Sequence, residues 1–370
     1  MRVWRLLDLG AVDGYTMTNV FIAVAEAVSL GEVRNTLILN HPREAFANLG
    51  FHQEAYGEID MDYCAKNGIP IVRRAIGGGA ILDGPWEQDY FVIVHGDSDD
   101  CPSRIPEFYA KFLSPVVYAL DRIGLRGERG GINDITVNGR KISGNGAVTI
   151  ENAMVLGGDI LLDLDIESMT SILRVPDEKY RNKIAESMAQ WLTSVKKELG
   201  KAPPREEVKS YLIEGFEKEL GITFEVGQLT AYEEERLRRY VSERRGDDWV
   251  FMKGISHKNP FDAANRCVKI KEDIVVCRTN YEAEELIRVT MMLQEGIIRE
   301  IAISGDFIMV PMGDGITLLE RELVGTPLVE EDVEIKVKGV FDESLAKVFG
   351  VTIKDFVNAI MKARENPLIK

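Results

Sequence analysis

Arg73-Arg74-Ala75-Ile76-Gly77-Gly78-Gly79-Ala80-Ile81 sets two cations and three consecutive glycines between apolar runs. Farther along stands Gly131-Ile132-Asn133-Asp134-Ile135-Thr136-Val137-Asn138-Gly139-Arg140-Lys141-Ile142-Ser143-Gly144-Asn145-Gly146. Three glycines in a row remove Cβ from successive positions, so a ligand or another backbone can come close and φ > 0 is permitted. The flanking β pattern places Gly77, Gly78 and Gly79 on a strand or at its end, and the spacings of a Walker loop or a dinucleotide fingerprint are absent. Bare backbone of this kind can lie beside a long flexible apolar chain, with Arg73 and Arg74 meeting a carboxylate or phosphate at its end.

In the second segment, Asn138-Gly139 reads as a two-residue hairpin turn. The hairpin brings Asn133 and Asp134 on one strand to face the same cavity as Lys141 on the next. An amide, a carboxylate and an ammonium so placed can orient a nucleotide, hold Mg²⁺ and neutralise an α-phosphate. Ser143-Gly144-Asn145-Gly146 then supplies a loop with backbone donors for phosphate.

The chain has 370 residues, long for one domain and comfortable for two. Its net charge of −15 argues against a nucleic-acid partner, because neutralising phosphates along a duplex needs a basic surface. Apolar runs fall short of the ~18 residues of a membrane span, and the first residues show no signal-peptide pattern. The expectation is a cytoplasmic protein with no membrane association. Cys64, Cys101, Cys267 and Cys277 are too scattered for a zinc site or a disulfide framework. Cys267 and Cys277 can face each other across a hairpin; the expectation favours two small buried thiols.

Residues 1–165 read as mixed α/β, with strands at Asn35–Leu39, Ile69–Arg74, Tyr90–Val94, Asp134–Val137, Lys141–Ser143 and Ala153–Leu162. Helices are expected at Thr16–Ser29, Asp60–Asn67 and Glu107–Ile123, followed by a helical stretch over 166–246. Beyond Trp249, strands are expected at Cys267–Ile270, Ile274–Arg278, Ile297–Ser304 and Phe307–Pro311, and helices at Glu282–Leu293, Gly315–Leu323 and Glu343–Lys362. The fold class is α/β (α+β): a large domain with mixed sheets and flanking helices over 1–250, and a small α+β accessory domain over 251–370.

At Arg73–Ile81 and Asn133–Asn145 the chain resembles the lipoate–protein ligase family, within the biotin/lipoyl ligase superfamily. Looser likeness extends to Gly50-Phe51-His52-Gln53, to Ile160-Leu161-Leu162 and to Ile303-Ser304-Gly305-Asp306-Phe307. The resemblance implies a biotin/lipoyl-ligase-like fold and a two-step reaction. Lipoate, or a related acid such as octanoate, would react with ATP and Mg²⁺ to give an acyl-adenylate. The acyl group would then pass to a lysine of an apo lipoyl domain of a 2-oxoacid dehydrogenase complex, of the glycine cleavage H protein, or of another lipoate-binding protein. Lys141 would be catalytic, holding the carboxylate and α-phosphate. Arg73, Gly77, Gly78, Gly79, Ala80 and His52 would line the lipoate site. Asn133, Asp134, Ser143, Gly144 and Asn145 would bind the nucleotide, with Asp134 on the metal.

Two departures from the family pattern leave the substrate open. Asp83-Gly84 stands where the family commonly has His-Asp, and Leu156-Gly157-Gly158-Asp159 where it has His-His-Gly. Drift at a loop is one explanation; a pocket changed for a different acyl chain or acceptor is the other. The rivals are an ATP-independent octanoyl or lipoyl transferase using a cysteine nucleophile, and a non-catalytic binder of lipoate or lipoyl domains. Cys101 sits in the acidic Asp97-Ser98-Asp99-Asp100 loop, where neighbouring charge raises a thiol pKa, the wrong direction for a nucleophile. A net charge of −15 also means that docking an acidic lipoyl domain would need a local basic patch.

Overall fold

The computed structural model describes residues 2–174, 181–253, 265–271, 273–310, 315–344 and 347–369. In chain order the elements begin with β1 (Arg2–Val12), α1 (Gly14–Ser29), β2 (Thr36–Pro42), β3 (Phe46–Leu49), α2 (Ala55–Glu58), α3 (Met61–Asn67), β4 (Ile71–Arg73), β5 (Ile81–Asp83) and β6 (Glu87–His95). Next come α4 (Ile105–Ile123), β7 (Glu128–Gly130), β8 (Asp134–Val137), β9 (Arg140–Ser143), β10 (Asn145–Ile150) and β11 (Ala153–Leu161). A helical stretch follows: α5 (Ile166–Ser171), α6 (Arg181–Trp191), α7 (Val195–Leu199) and α8 (Arg205–Leu220), then β12 (Ile222–Val226), α9 (Ala231–Arg244) and α10 (Asp247–Val250). The last part holds β13 (Arg266–Lys271), β14 (Ile274–Glu282), β15 (Leu286–Gln294), β16 (Ile297–Gly305), β17 (Ile308–Val310), α11 (Gly315–Leu323), α12 (Glu330–Ser344), β18 (Lys347–Phe349) and α13 (Ile353–Met361).

The chain forms two compact units, one of residues 1–48, 62–72 and 81–246, the other of 49–61, 73–80 and 247–370. The first is built on a six-stranded mixed sheet in the order β10-β11-β6-β2-β1-β12. Adjacent residues of a strand point to opposite faces. Phe91 of β6 stacks on Phe21 of α1, with ring centroids 4.8 Å apart, while Tyr90 meets Phe216 of α8 on the other side. Both faces of β6 are therefore covered, which is why it is buried along nearly its whole length. At the start of α1, the Asp13 carboxylate accepts from the Tyr15 and Thr16 amides. Gly14 is required there, since a Cβ would lie 2.7 Å from the Phe46 ring.

The second unit packs α11, α12 and α13 with the antiparallel sheet β13-β14-β15-β16. Here the expectation of a helix at Glu282–Leu293 fails. Ile287, Val289, Met291 and Leu293 alternate toward the core, and the segment forms the end of β14 and most of β15. The acidic run Glu282-Ala283-Glu284-Glu285 mimics a helix start, but the period of two in the apolar residues decides the outcome. The expected helix Glu343–Lys362 is likewise replaced by the end of α12, then β18 and α13. The strand expected at Phe307–Pro311 is Ile308–Val310, with Pro311 outside the described residues. Cys267 and Cys277 are exact register partners across β13 and β14, and they form a disulfide rather than two free thiols. Two ion pairs fasten the 49–61 segment within this unit: Glu54 to Arg278 at 2.8 Å and Glu58 to Arg288 at 2.5 Å. Among the described residues no helix is long and apolar enough to cross a membrane.

Candidate active site

The two sequence motifs fall in different compact units, and each is taken by itself. In the first unit, β8 and β9 form the expected hairpin, with Asn138 at φ 52° and Gly139 at φ 75°. Left-handed backbone at both central positions is what an Asn-Gly turn supplies. Lys141 pairs across the ladder with Thr136, and Asp134 lies two residues from Thr136 on the same face. The Lys141 ammonium and the Asp134 carboxylate meet as an ion pair at 2.8 Å, both about one-third exposed. The lysine stem runs past Gly144, where a Cβ would stand 3.0 Å from Cε.

Asn133 and Asn145 brace the base of the hairpin. Each side-chain amide donates to the other's backbone carbonyl at 2.8 Å. Asn145 also donates to the Ser143 hydroxyl, and the Tyr90 hydroxyl donates to Asn145 Oδ1. These side chains are engaged within the protein, so they fix the position of the loop rather than present free donors. The Gly144 amide donates to Asp159 Oδ1 at 2.8 Å. Gly158 is obligatory beside them, because a Cβ would fall 1.9 Å from Asn145 Oδ1 and 2.7 Å from the Tyr90 hydroxyl.

Of the carboxylates beside this loop, the sequence marks Asp83 and Asp159 only as departures from the family pattern, and it does not pick out Glu87 or Asp89. Asp89 and Glu87 on β6 and Asp83 on β5 are buried, and Asp159 on β11 is partly so. Burial, then the charges of Asp83, Asp89 and Asp159, hold Glu87 well above the usual carboxylate range. Asp89 is raised in the same way by burial, Asp83 and Asp159, with Arg205 opposing. Burial pushes Asp159 up to about 6, against the Gly144 amide and the Lys141 charge. For Glu87 and Asp89 the signal in the sequence is the presence of acids inside and beside apolar strands, as in Trp86-Glu87-Gln88-Asp89-Tyr90-Phe91-Val92.

These shifts fix a pH dependence. A carboxyl whose folded pKa is raised binds more protons folded than unfolded between the two pKa values, so stability falls as pH rises through that window. For Asp159 the window runs from about 3.9 when unfolded to about 6 when folded. For Asp89 it begins at the same low end and extends upward. Asp89→Asn is therefore expected to raise the melting temperature relative to the unsubstituted protein more at pH 8 than at pH 5. Melting curves showing the same difference at both pH values would contradict the burial of an uncompensated acid.

In the second unit, the glycines are not on a strand. β4 ends at Arg73 and β5 begins at Ile81, and residues 74–80 form the loop between them. Gly78 adopts φ 98°, which breaks the extended run, and Arg74 folds back to donate to the carbonyls of Gly77 and Gly79 at 2.9 Å. The bare backbone is used for close approach by other backbone. A Cβ on Gly50 would lie 1.9 Å from the Gly78 carbonyl oxygen, and one on Gly77 would lie 2.6 Å from that of Phe307. Ala80 ends this loop.

Arg73, expected to meet an anion, is fully buried and has a different set of partners. Its guanidinium donates to the carbonyls of Gly50, Phe51, Trp249 and Val250 at 2.6–3.1 Å, and the Trp249 indole donates back to the Arg73 carbonyl. Burial, with Arg74 beside it, lowers its pKa to about 9. The forked geometry that suits a carboxylate suits converging carbonyls equally well. His52 is 2% exposed and stacks on Phe307 at 4.8 Å. Burial, then Lys253 and Arg73, lowers it to about 3, so it is neutral at physiological pH. From the neighbouring motif, Asp306 accepts from Gln53 at 2.8 Å, and burial, then Glu58, raises it to about 6.

Cys64 and Cys101 lie outside the disulfide. Cys64 is buried, and the Cys101 thiol is raised chiefly by its burial. The acidic loop contributes through Asp97 only after that, and Lys111 opposes it.

Against known proteins, the profile of the lipoyl protein ligase A/B catalytic domain matches residues 22–217. The chain is 28% identical over 275 residues to the octanoyltransferase LipM of Kyrpidia tusciae, covering 68% of this chain and 100% of that relative. It is 27% identical over 317 residues to the lipoate-protein ligase LplJ of Bacillus subtilis, covering 84% and 87%. A solved chain from the bipartite lipoate protein ligase system of Thermoplasma acidophilum, described with its E2 lipoyl domain, aligns with a TM-score of 0.60 at 27% identity, covering 70% of this chain and 100% of that one. The matched span takes in more than half of the chain, including four of the six strands of the sheet and the Lys141 hairpin, and the protein belongs to the lipoyl protein ligase A/B family of the biotin/lipoyl ligase superfamily.

Proposed function

We propose that this enzyme activates a lipoate- or octanoate-like acid with ATP and passes the acyl group from the adenylate to a lysine of an acceptor protein such as a lipoyl domain. The observation that carries this reading is the Lys141–Asp134 pair on its braced hairpin. An ammonium held by a carboxylate and backed by a fixed loop is a preorganised charge for a carboxylate–phosphate reaction centre. In the first step the substrate carboxylate oxygen attacks the α-phosphorus, pyrophosphate leaves, and Lys141 offsets the charge gathering on the phosphoryl oxygens. In the second step the acceptor amine attacks the acyl carbon and AMP leaves. A cation beside that amine favours its neutral, nucleophilic form.

Mg²⁺ fits this site as an ion carried by the nucleotide. Such an ion takes one or two protein carboxylates and completes its shell with phosphate and water. Asp134 would supply one, with Asp159 near enough to respond to the Asp134 charge. Among the described residues no group of three or more potential ligands is arranged to hold a metal by itself.

The likeness to LipM favours a second reading, an ATP-independent octanoyl transfer through a thioester. The buried Cys64, the raised Cys101 thiol and the Cys267–Cys277 disulfide weigh against a cysteine nucleophile. Incubation with an octanoyl carrier protein and no ATP is expected to leave the enzyme mass unchanged. A hydroxylamine-sensitive octanoyl adduct mapped to any cysteine would replace the ligase by the transferase.

A further inference from the structure

Asn40, Asp89 and Asp159 stand directly opposite one another on the neighbouring strands β2, β6 and β11. Residues opposed in this way share a sheet face, and Glu87, two residues before Asp89, shares it too. Asn40 is 0% exposed and Asp89 4%. Among the described residues, both polar atoms of the Asn40 amide and the Oδ2 atom of Asp89 have no hydrogen-bond partner. Arg205 is the cation that acts on Asp89, but its N–H groups go to the carbonyls of Glu87 and Pro85 and to Gln88 Oε1. A buried amide without partners, facing carboxylates that repel one another, is an arrangement completed by a ligand. Among the described residues the carboxylates are not grouped to hold a metal ion.

We propose that this row receives the far end of the acid activated at Lys141, and that this end carries a protonated amine. The inference rests on the proposed function for the position of the reacting end. Asp159 joins the two places, because it accepts from the Gly144 amide beside Lys141 and opposes Asp89 across the ladder. Three strands at about 4.8 Å spacing put Asn40 about 10 Å beyond Asp159, a span suited to a medium-length acyl chain. An ammonium donates three hydrogen bonds and has no acceptor. It matches the open acceptors Asn40 Oδ1 and Asp89 Oδ2, not the Asn40 Nδ2 donor, and offsets the repulsion among Asp83, Glu87 and Asp89. A plain alkyl end leaves both acceptors unmet, and a site built for hydrogen bonds rejects such an analogue strongly. Asp83 and Asp159 stand at the two departures from the family pattern, as a changed acyl pocket requires.

The test is calorimetric binding of octanoate, 8-hydroxyoctanoate and 8-aminooctanoate to the full chain, to Asp89→Asn and to Asn40→Leu. The amino acid is expected to bind about 100-fold tighter than octanoate, with most of that preference lost in both variants. Octanoate or the hydroxy acid binding as tightly as the amine, an amine preference untouched by both substitutions, or no binding of any of the three acids would overturn the proposal. Pyrophosphate release driven by octanoate without amine preference would defeat this inference and leave the proposed function standing. Amine preference without ATP turnover would do the reverse.

Discussion

Lys141→Met is expected to lower pyrophosphate release from ATP and acid by on the order of 10²–10³-fold, with the far-ultraviolet circular dichroism unchanged. Methionine keeps the apolar stem that passes Gly144 and removes the charge that Asp134 positions. The side chain is about one-third exposed, so its loss leaves the core intact. Transfer from preformed acyl-adenylate should fall as well, because in the proposed reaction the same ammonium would face the acyl phosphate in both steps. Arginine at this position keeps the charge but is bulkier and planar, and should restore only part of the rate. Pyrophosphate release near the unsubstituted level would reduce Lys141 to a surface ion pair.

The second large effect concerns stability. Arg73→Met deletes a buried guanidinium that satisfies the carbonyls of Gly50, Phe51, Trp249 and Val250. Each buried carbonyl left without a donor costs about 1–3 kcal/mol, so with four of them the unit that contains them should lose about 4 kcal/mol or more. Lysine cannot fork its donors to four oxygens and should rescue little. Urea or thermal unfolding reads this directly. A variant that melts normally but no longer binds the acid would return Arg73 to the ligand-binding role that its sequence context first implied.

The parts legible in the sequence were those governed by local chemistry. Asn138-Gly139 announces its turn because few other residue pairs accept left-handed backbone at both positions. That turn alone is enough to bring Lys141 to Asp134. The glycine run was harder, because β-like flanks suit both a strand and a loop, and only the positive φ of Gly78 separates them. Arg73 is ambiguous for a related reason. A cation beside glycines looks made for an anion until the carbonyls that converge on it are seen, and two of them come from residues 176 and 177 positions away. The row Asn40–Asp89–Asp159 depends on the register of three strands distant in sequence. No periodicity within one segment can show it. The Cys267–Cys277 disulfide lies between these cases, since the hairpin was legible but its register was not.

The most direct measurement is the intact mass of an apo lipoyl domain after incubation with the enzyme, Mg²⁺ and lipoate or octanoate, with and without ATP. An acyl adduct on one lysine that forms only with ATP, and that Lys141→Met abolishes, is the result predicted. An adduct formed equally without ATP from an acyl carrier donor, or none under any condition while the protein remains folded, would contradict it.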